Sequence, residues 1–154
     1  MANRISFTTY VITYGILIAA GLIAFFLLMN LLGFARSTEL RFLNFFIMLA
    51  GLFFAMKKYL SSRGWRVNYL EGMISGTIIG GFASFLFGMF MFFYLKYFDP
   101  DFMQFLYNEA MFGTYLTPSA GAFLVMMEGA ASAAIITFGM LQFYKRPEGM
   151  AEDM

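Results

Sequence analysis

Long uncharged apolar runs separated by short charged segments dominate this chain, and the runs have the length of membrane-crossing helices. A helix crossing a hydrocarbon core of about 30 Å needs roughly 20 largely apolar residues at about 1.5 Å each. Four runs meet that requirement, at about 10–32, 42–58, 73–95 and 118–143. The second is the shortest, with 15 uncharged residues between Arg41 and Lys57. That makes roughly 22 Å of helix, so Arg41, Lys57 and Lys58 are predicted to snorkel outward. The first run exceeds the roughly 7 to 15 apolar residues of a secretory signal and lacks a small-residue cleavage site after it, so it reads as a retained helix. A membrane barrel would instead show alternating segments of about ten residues.

The runs predict an all-α membrane protein, a four-transmembrane-helix bundle occupying residues 1–146 as a single domain, followed by a short acidic tail at 147–154. Four crossings put Arg4, Lys57, Lys58, Arg63, Arg66, Lys145 and Arg146 on one side, and Arg36, Arg41 and Lys96 on the other. Basic residues favour the cytoplasmic side, so both termini and the 57–71 loop are expected in the cytoplasm. In that loop Lys57, Lys58, Arg63, Trp65 and Arg66 suit contact with lipid headgroups, with Tyr69 alongside.

Composition then removes function classes. The chain is 61% hydrophobic and 12% charged, against roughly 45–50% and about 25% for soluble domains. Its net charge of +1 gives no basic surface for nucleic acid. With neither Cys nor His, thiolate zinc sites, iron–sulfur clusters, His-ligated haem, cysteine nucleophiles and histidine bases are excluded. No cofactor and no metal site is expected.

Helices in lipid associate through small residues that let backbones approach. Gly72, Gly76, Gly80, Ser84 and Gly88 recur every four residues on the third run and form one face. That face either seats a neighbouring helix of the same chain or meets a second subunit. Smaller patches lie at Gly15 and Ala19, at Gly51 and Ala55, and through the middle of the fourth run from Gly129 to Ala134. The many Phe and Met residues read as bulk apolar surface facing lipid or a partner.

Glu128 is the one ionisable residue inside a clear span. Such a group costs several kcal/mol at the bilayer centre, so it is expected to face the bundle interior. It reads either as a proton or cation site, or as a neutral acid hydrogen-bonded across the bundle, with Tyr10, Tyr14 and Asn30 as candidate partners. Between the third and fourth runs, Asp99, Pro100 and Asp101 form a helix-start signal: an N-cap, a proline at the first helical position, and an acid at the positive helix end. Phe102, Phe105, Leu106 and Ala110 follow at helical spacing, predicting a short amphipathic interfacial helix.

The run Phe92-Phe93-Tyr94-Leu95-Lys96-Tyr97-Phe98-Asp99-Pro100-Asp101-Phe102 carries a Tyr-x-Lys-Tyr-aromatic-Asp-Pro-Asp signature, and Val67-Asn68-Tyr69-Leu70-Glu71-Gly72 follows the short second helix. Both resemble a bacterial four-helix integral membrane protein family of unknown function. The resemblance implies a bacterial cytoplasmic-membrane location and a four-helix domain, with no reaction or catalytic residue attached.

The residues themselves lead to a non-enzymatic structural or accessory subunit of a membrane complex, in contact with membrane lipids and with another membrane subunit or further copies of itself. The alternative is a small proton-coupled transporter using Glu128 in a homodimer.

Overall fold

The computed structural model describes residues 6–34, 38–64, 67–109 and 113–144, with side chains from 42 onward in the second stretch. Five α-helices follow in order: α1 (Phe7–Leu31), α2 (Thr38–Ser62), α3 (Tyr69–Phe93), α4 (Pro100–Glu109) and α5 (Pro118–Tyr144). Among the described residues α1, α2, α3 and α5 are long and apolar enough to cross a membrane. The short α4 lies between the third and fourth spans and is not one of them. Trp65, Arg66, Lys145, Arg146 and the tail 147–154 lie outside the described residues, as do Arg4, Arg36 and Ala110.

Local chemistry sets the helix ends. At the end of α1 the Gly33 N–H donates to Asn30 O (3.0 Å) and the Phe34 N–H to Met29 O (2.8 Å). This double closure needs a left-handed residue, and Gly33 has φ of +77°. Gly64, at φ +63°, closes α2 in the same way through its N–H to Ser61 O (3.1 Å). The α2 helix therefore runs past its apolar stretch to Ser62, and Lys57 and Lys58 are exposed. At the start of α5, Thr117 Oγ1 accepts from the Ala120 N–H (3.1 Å) and Pro118 takes the first helical position.

The bundle is organised by α3, which packs most extensively on α5, then on α1. Half of the most apolar window of α3 is buried within the chain, against 22% for α5. The reason lies in the small residues. A Cβ built on Gly72 would sit 2.8 Å from Leu141 Cδ2. One built on Gly76 would collide with Thr137, on Gly80 with Ala133, and on Gly88 with Met126; one on Gly129 would collide with Ser84. As the α3 positions rise by four, their α5 partners fall by about four, which is the register of an antiparallel close-packed pair. The glycine stripe is thus seated inside the chain.

Hydroxyls within this seam turn back onto their own helices. Ser84 Oγ donates to Gly80 O (2.8 Å) and Thr137 Oγ1 to Ala133 O (2.7 Å), so neither donor is stranded where no water reaches. The other small patches also lie between helices. Gly15 faces Phe82 of α3, and Gly51 faces Ile18 of α1, whose Cγ1 is 2.5 Å from a built Cβ. Some of the phenylalanines expected on the outside are core instead. Phe26 packs edge-on against Tyr94 at 5.0 Å and against Phe87, Phe90 and Phe102 at 6.1 to 6.5 Å, a geometry that aromatic quadrupoles favour.

Replacing Gly80 by Leu is expected to destabilise the bundle by about 1–3 kcal/mol or more through overpacking. Gly81→Ala, where no atom lies within 4 Å of a built Cβ, should instead be neutral or gain up to about 1 kcal/mol from helix propensity. Unfolding of the purified chain in mixed micelles reads both. Equal effects of the two substitutions would mean that the seam is not where the stripe is seated.

Candidate functional site

Two polar clusters and one cavity stand out against the apolar bundle. The first cluster joins α3 to α4. The last turn of α3 widens into a π-helical turn, Tyr94–Phe98, closed by the Asp99 N–H donating to Tyr94 O (3.1 Å). Asp99 then caps α4, its Oδ1 accepting from the Phe102 N–H at 2.9 Å, with Pro100 first in the helix and Asp101 exposed in its opening turn. Asn30 Nδ2 of α1 donates to the Tyr94 hydroxyl at 2.6 Å, and that hydroxyl lies 3.5 Å from Asp99 Oδ2. The chain α1, α3, α4 is tied together at one end, and Phe102 is pressed onto Phe26.

The second cluster closes the opposite end. Tyr59 is 2% exposed and packs edge-on against Phe7 and Tyr10 at 5.9 and 5.7 Å. Its hydroxyl donates to Glu71 Oε1 (3.1 Å). Arg63 approaches the same carboxylate at 3.8 Å and lies over the Tyr59 ring at 5.6 Å. Arg63 and Glu71 are both about half exposed, so the ion pair itself contributes little. Its effect is to tie the end of α2 to the start of α3, while Lys57 and Lys58 stay exposed.

The cavity lies in the half of the bundle next to α4 and has a volume of about 560 Å³. It exists because α2 packs tightly from Met48 to Leu60, whereas Phe42 and Phe46 stand 71% and 62% exposed. The side chains of Phe26, Phe45, Phe87 and Met91 form much of its wall, and Phe102 and Phe105 of α4 cover one end. Its polar lining residues are Asn44, Ser84, Glu128 and Ser132. Volume and lining fall in the range of small-molecule sites.

Glu128 therefore sits on a cavity wall, on the exposed side of α5, rather than in the packed interior that its cost in lipid led us to expect. Its neighbour Gly129 faces Ser84, which turns the Glu128 side chain away from the α3 seam. Of the candidate partners on α1, Asn30 donates to Tyr94, and Tyr10 packs its ring against those of Tyr14 and Tyr59. Sequence reading missed Asn44. It is a polar residue on the least apolar span, only three residues from Arg41, and such residues near a helix end ordinarily face headgroups. Among the described residues no cluster of acids can hold a metal ion.

The sequence model of one family, described as a protein of unknown function (DUF4199), matches residues 13–135. No curated protein and no solved structure matches the chain.

Asp99→Ala is expected to cost about 1 kcal/mol through loss of the α4 cap. Amide exchange at Phe102 should then speed up about fivefold, with α5 unaffected. Unchanged exchange at Phe102 would show that the cap does not hold α4.

Proposed function

The chain belongs to the DUF4199 family, and on that footing we propose that it is a non-enzymatic accessory subunit of a membrane complex, covered on its α5 side by a partner subunit or a second copy. The observation that carries this reading is the exposed face of α5, on which Glu128 stands ten residues into a 27-residue span. The uncovered face of α5 continues through Ala131, Ile135 and Gly139, all exposed, and a Cβ built on Gly139 meets no atom within 4 Å. A helix can approach such a face closely. The α3 stripe, by contrast, is used up within the chain, so a partner contact falls to α5 and to the outward phenylalanines of α2.

The charge bias of the loops supports termini in the cytoplasm, and the resemblance of the Tyr94 to Asp101 segment supports a bacterial inner membrane. The second reading, a proton-coupled transporter working as a homodimer, is favoured by one specific feature: Glu128 borders a cavity together with Asn44, Ser84 and Ser132. A carboxyl there has both an aqueous-sized space and polar neighbours, as a proton carrier needs.

Mild extraction followed by native mass spectrometry separates the two readings. The accessory reading predicts a stoichiometric complex with a larger membrane protein that Glu128→Leu weakens at least tenfold. A homodimer whose proton-coupled flux in vesicles is abolished by Glu128→Gln would replace it with the transporter. A monomer unaffected by either substitution would overturn both.

A further inference from the structure

The cavity beneath α4 has a floor, a roof and a mouth that belong to different helices. The floor is made by α1 and α3, whose lining side chains Leu22, Phe26, Phe87, Met91 and Leu95 are all buried. Phe102, also buried, and Phe105 of α4 roof one end. The lining residues that stand exposed all lie on α2 and α5: Phe42 at 71% and Leu124 at 55%, with Phe45 and Glu128 beside them. The mouth is therefore lateral, between two helices, and not at the end of the bundle. Those helices meet in the other half of the molecule, where Phe53 packs on Tyr144 at 6.2 Å. Beside the cavity Gly121 and Gly129 leave α5 without bulk.

The direction of the mouth decides what enters. Both α2 and α5 are long and apolar enough to span the membrane, so an opening between them faces the hydrocarbon of the bilayer, where water is scarce. The floor matches that medium. Ser84 is its one polar side chain among the described lining residues, and the hydroxyl donates to Gly80 O at 2.8 Å. The other polar lining residues, Asn44, Glu128 and Ser132, belong to the two helices that border the mouth. Along α3 the floor runs from Ser84 to Leu95, about 16 Å of helix, parallel to the lipid chains outside. Size fits too. A cavity of about 150 Å³ takes one benzene ring, so about 560 Å³ holds roughly twenty carbons on that scale. One aromatic side chain reaching in from a partner would fill only about a quarter of it, and an unfilled wall forfeits the dispersion contacts of every group that lines it.

We propose that this cavity is a binding site for one acyl chain of a bilayer phospholipid, which enters sideways between α2 and α5 and lies along the α1 and α3 floor beneath α4. The site takes the chain and not the head. It stands apart from the oligomeric state, because floor, roof and mouth belong to one chain.

Photolabelling of the full chain in phosphatidylcholine nanodiscs tests this. One probe is a phosphatidylcholine with a diazirine midway along an acyl chain; the other carries the diazirine on its headgroup, and adducts are mapped to residues by tandem mass spectrometry. The acyl probe is expected to label the buried floor residues Phe26, Phe87 and Met91 as it labels the outward Ile16 and Leu17. Ile79, Ala83 and Ala133 are as buried but lie outside the cavity, and should label at least about tenfold less, since only rare local opening exposes them. Floor residues labelled no more than those three would overturn the proposal, whatever else fills the cavity. Floor labelling by the headgroup probe as strong as by the acyl probe would overturn it in favour of a polar ligand. Met48→Trp combined with Met91→Trp narrows the space from opposite walls and should reduce labelling of Phe26 and Phe87 while Ile16 and Leu17 are unchanged. Unreduced labelling there, with Ile79 and Ala83 still protected as a sign of an intact bundle, would also overturn it. If that variant fails to fold, the comparison of floor with Ile79, Ala83 and Ala133 in the unaltered chain decides alone.

Discussion

The close approach of α3 and α5 is the constraint on which the rest of this bundle depends. In lipid there is little solvent-driven reason for two apolar helices to meet, so contact rests on packing and on satisfied backbone groups. Gly72, Gly76, Gly80 and Gly88 remove side-chain bulk on one helix, and Gly129 and Ala133 remove it on the other. Once these two helices are locked in register, Leu52, Ala55 and Met56 of α2 can reach the seam and become fully buried. The outward aromatic residues stay exposed on the surface of the bundle.

That tight seam also explains the open space beside it. α2 is held at one end by Tyr59, whose ring is enclosed by Phe7 and Tyr10 and whose hydroxyl reaches Glu71. α4 is held at the other end by the Asn30, Tyr94 and Asp99 hydrogen bonds. Between those two anchors the beginning of α2 stands off, and the resulting cavity is walled by groups that none of the packing requires to be polar. The π-helical turn at Tyr94–Phe98 matters here because it rotates Tyr94 toward Asn30 while aiming the chain into α4. Such turns recur at functional positions.

Much of this architecture was legible in the residues. The four spans follow from run length, the α4 start from Asp99-Pro100, and the small-residue face from its four-residue period. What escaped reading depends on pairing in three dimensions. The stripe at Gly72 to Gly88 specifies close contact but not whose helix makes it, because Thr137 and Ala133 are unremarkable until the antiparallel register is known. Phe26 and Phe87 look like their lipid-facing neighbours, since in a membrane helix the buried and exposed faces are equally apolar and no polar–apolar period separates them. Glu128 announced its importance by charge alone, but its cavity neighbours Asn44 and Ser132 did not, because a single amide or hydroxyl is tolerated in many spans.

Intramolecular cross-linking tests the α3–α5 seam most directly, and the chain's lack of native cysteine makes it clean. A Cβ built on Gly76 lies 3.0 Å from Thr137 Cβ, within a small relaxation of the roughly 3.5–4.5 Å that a disulfide needs. Gly76→Cys with Thr137→Cys, and a protease site inserted between α4 and α5, should give on oxidation two fragments that remain joined at the mass of one chain. Fragments that separate after cleavage, or that are joined only to those of a second chain, would contradict the account.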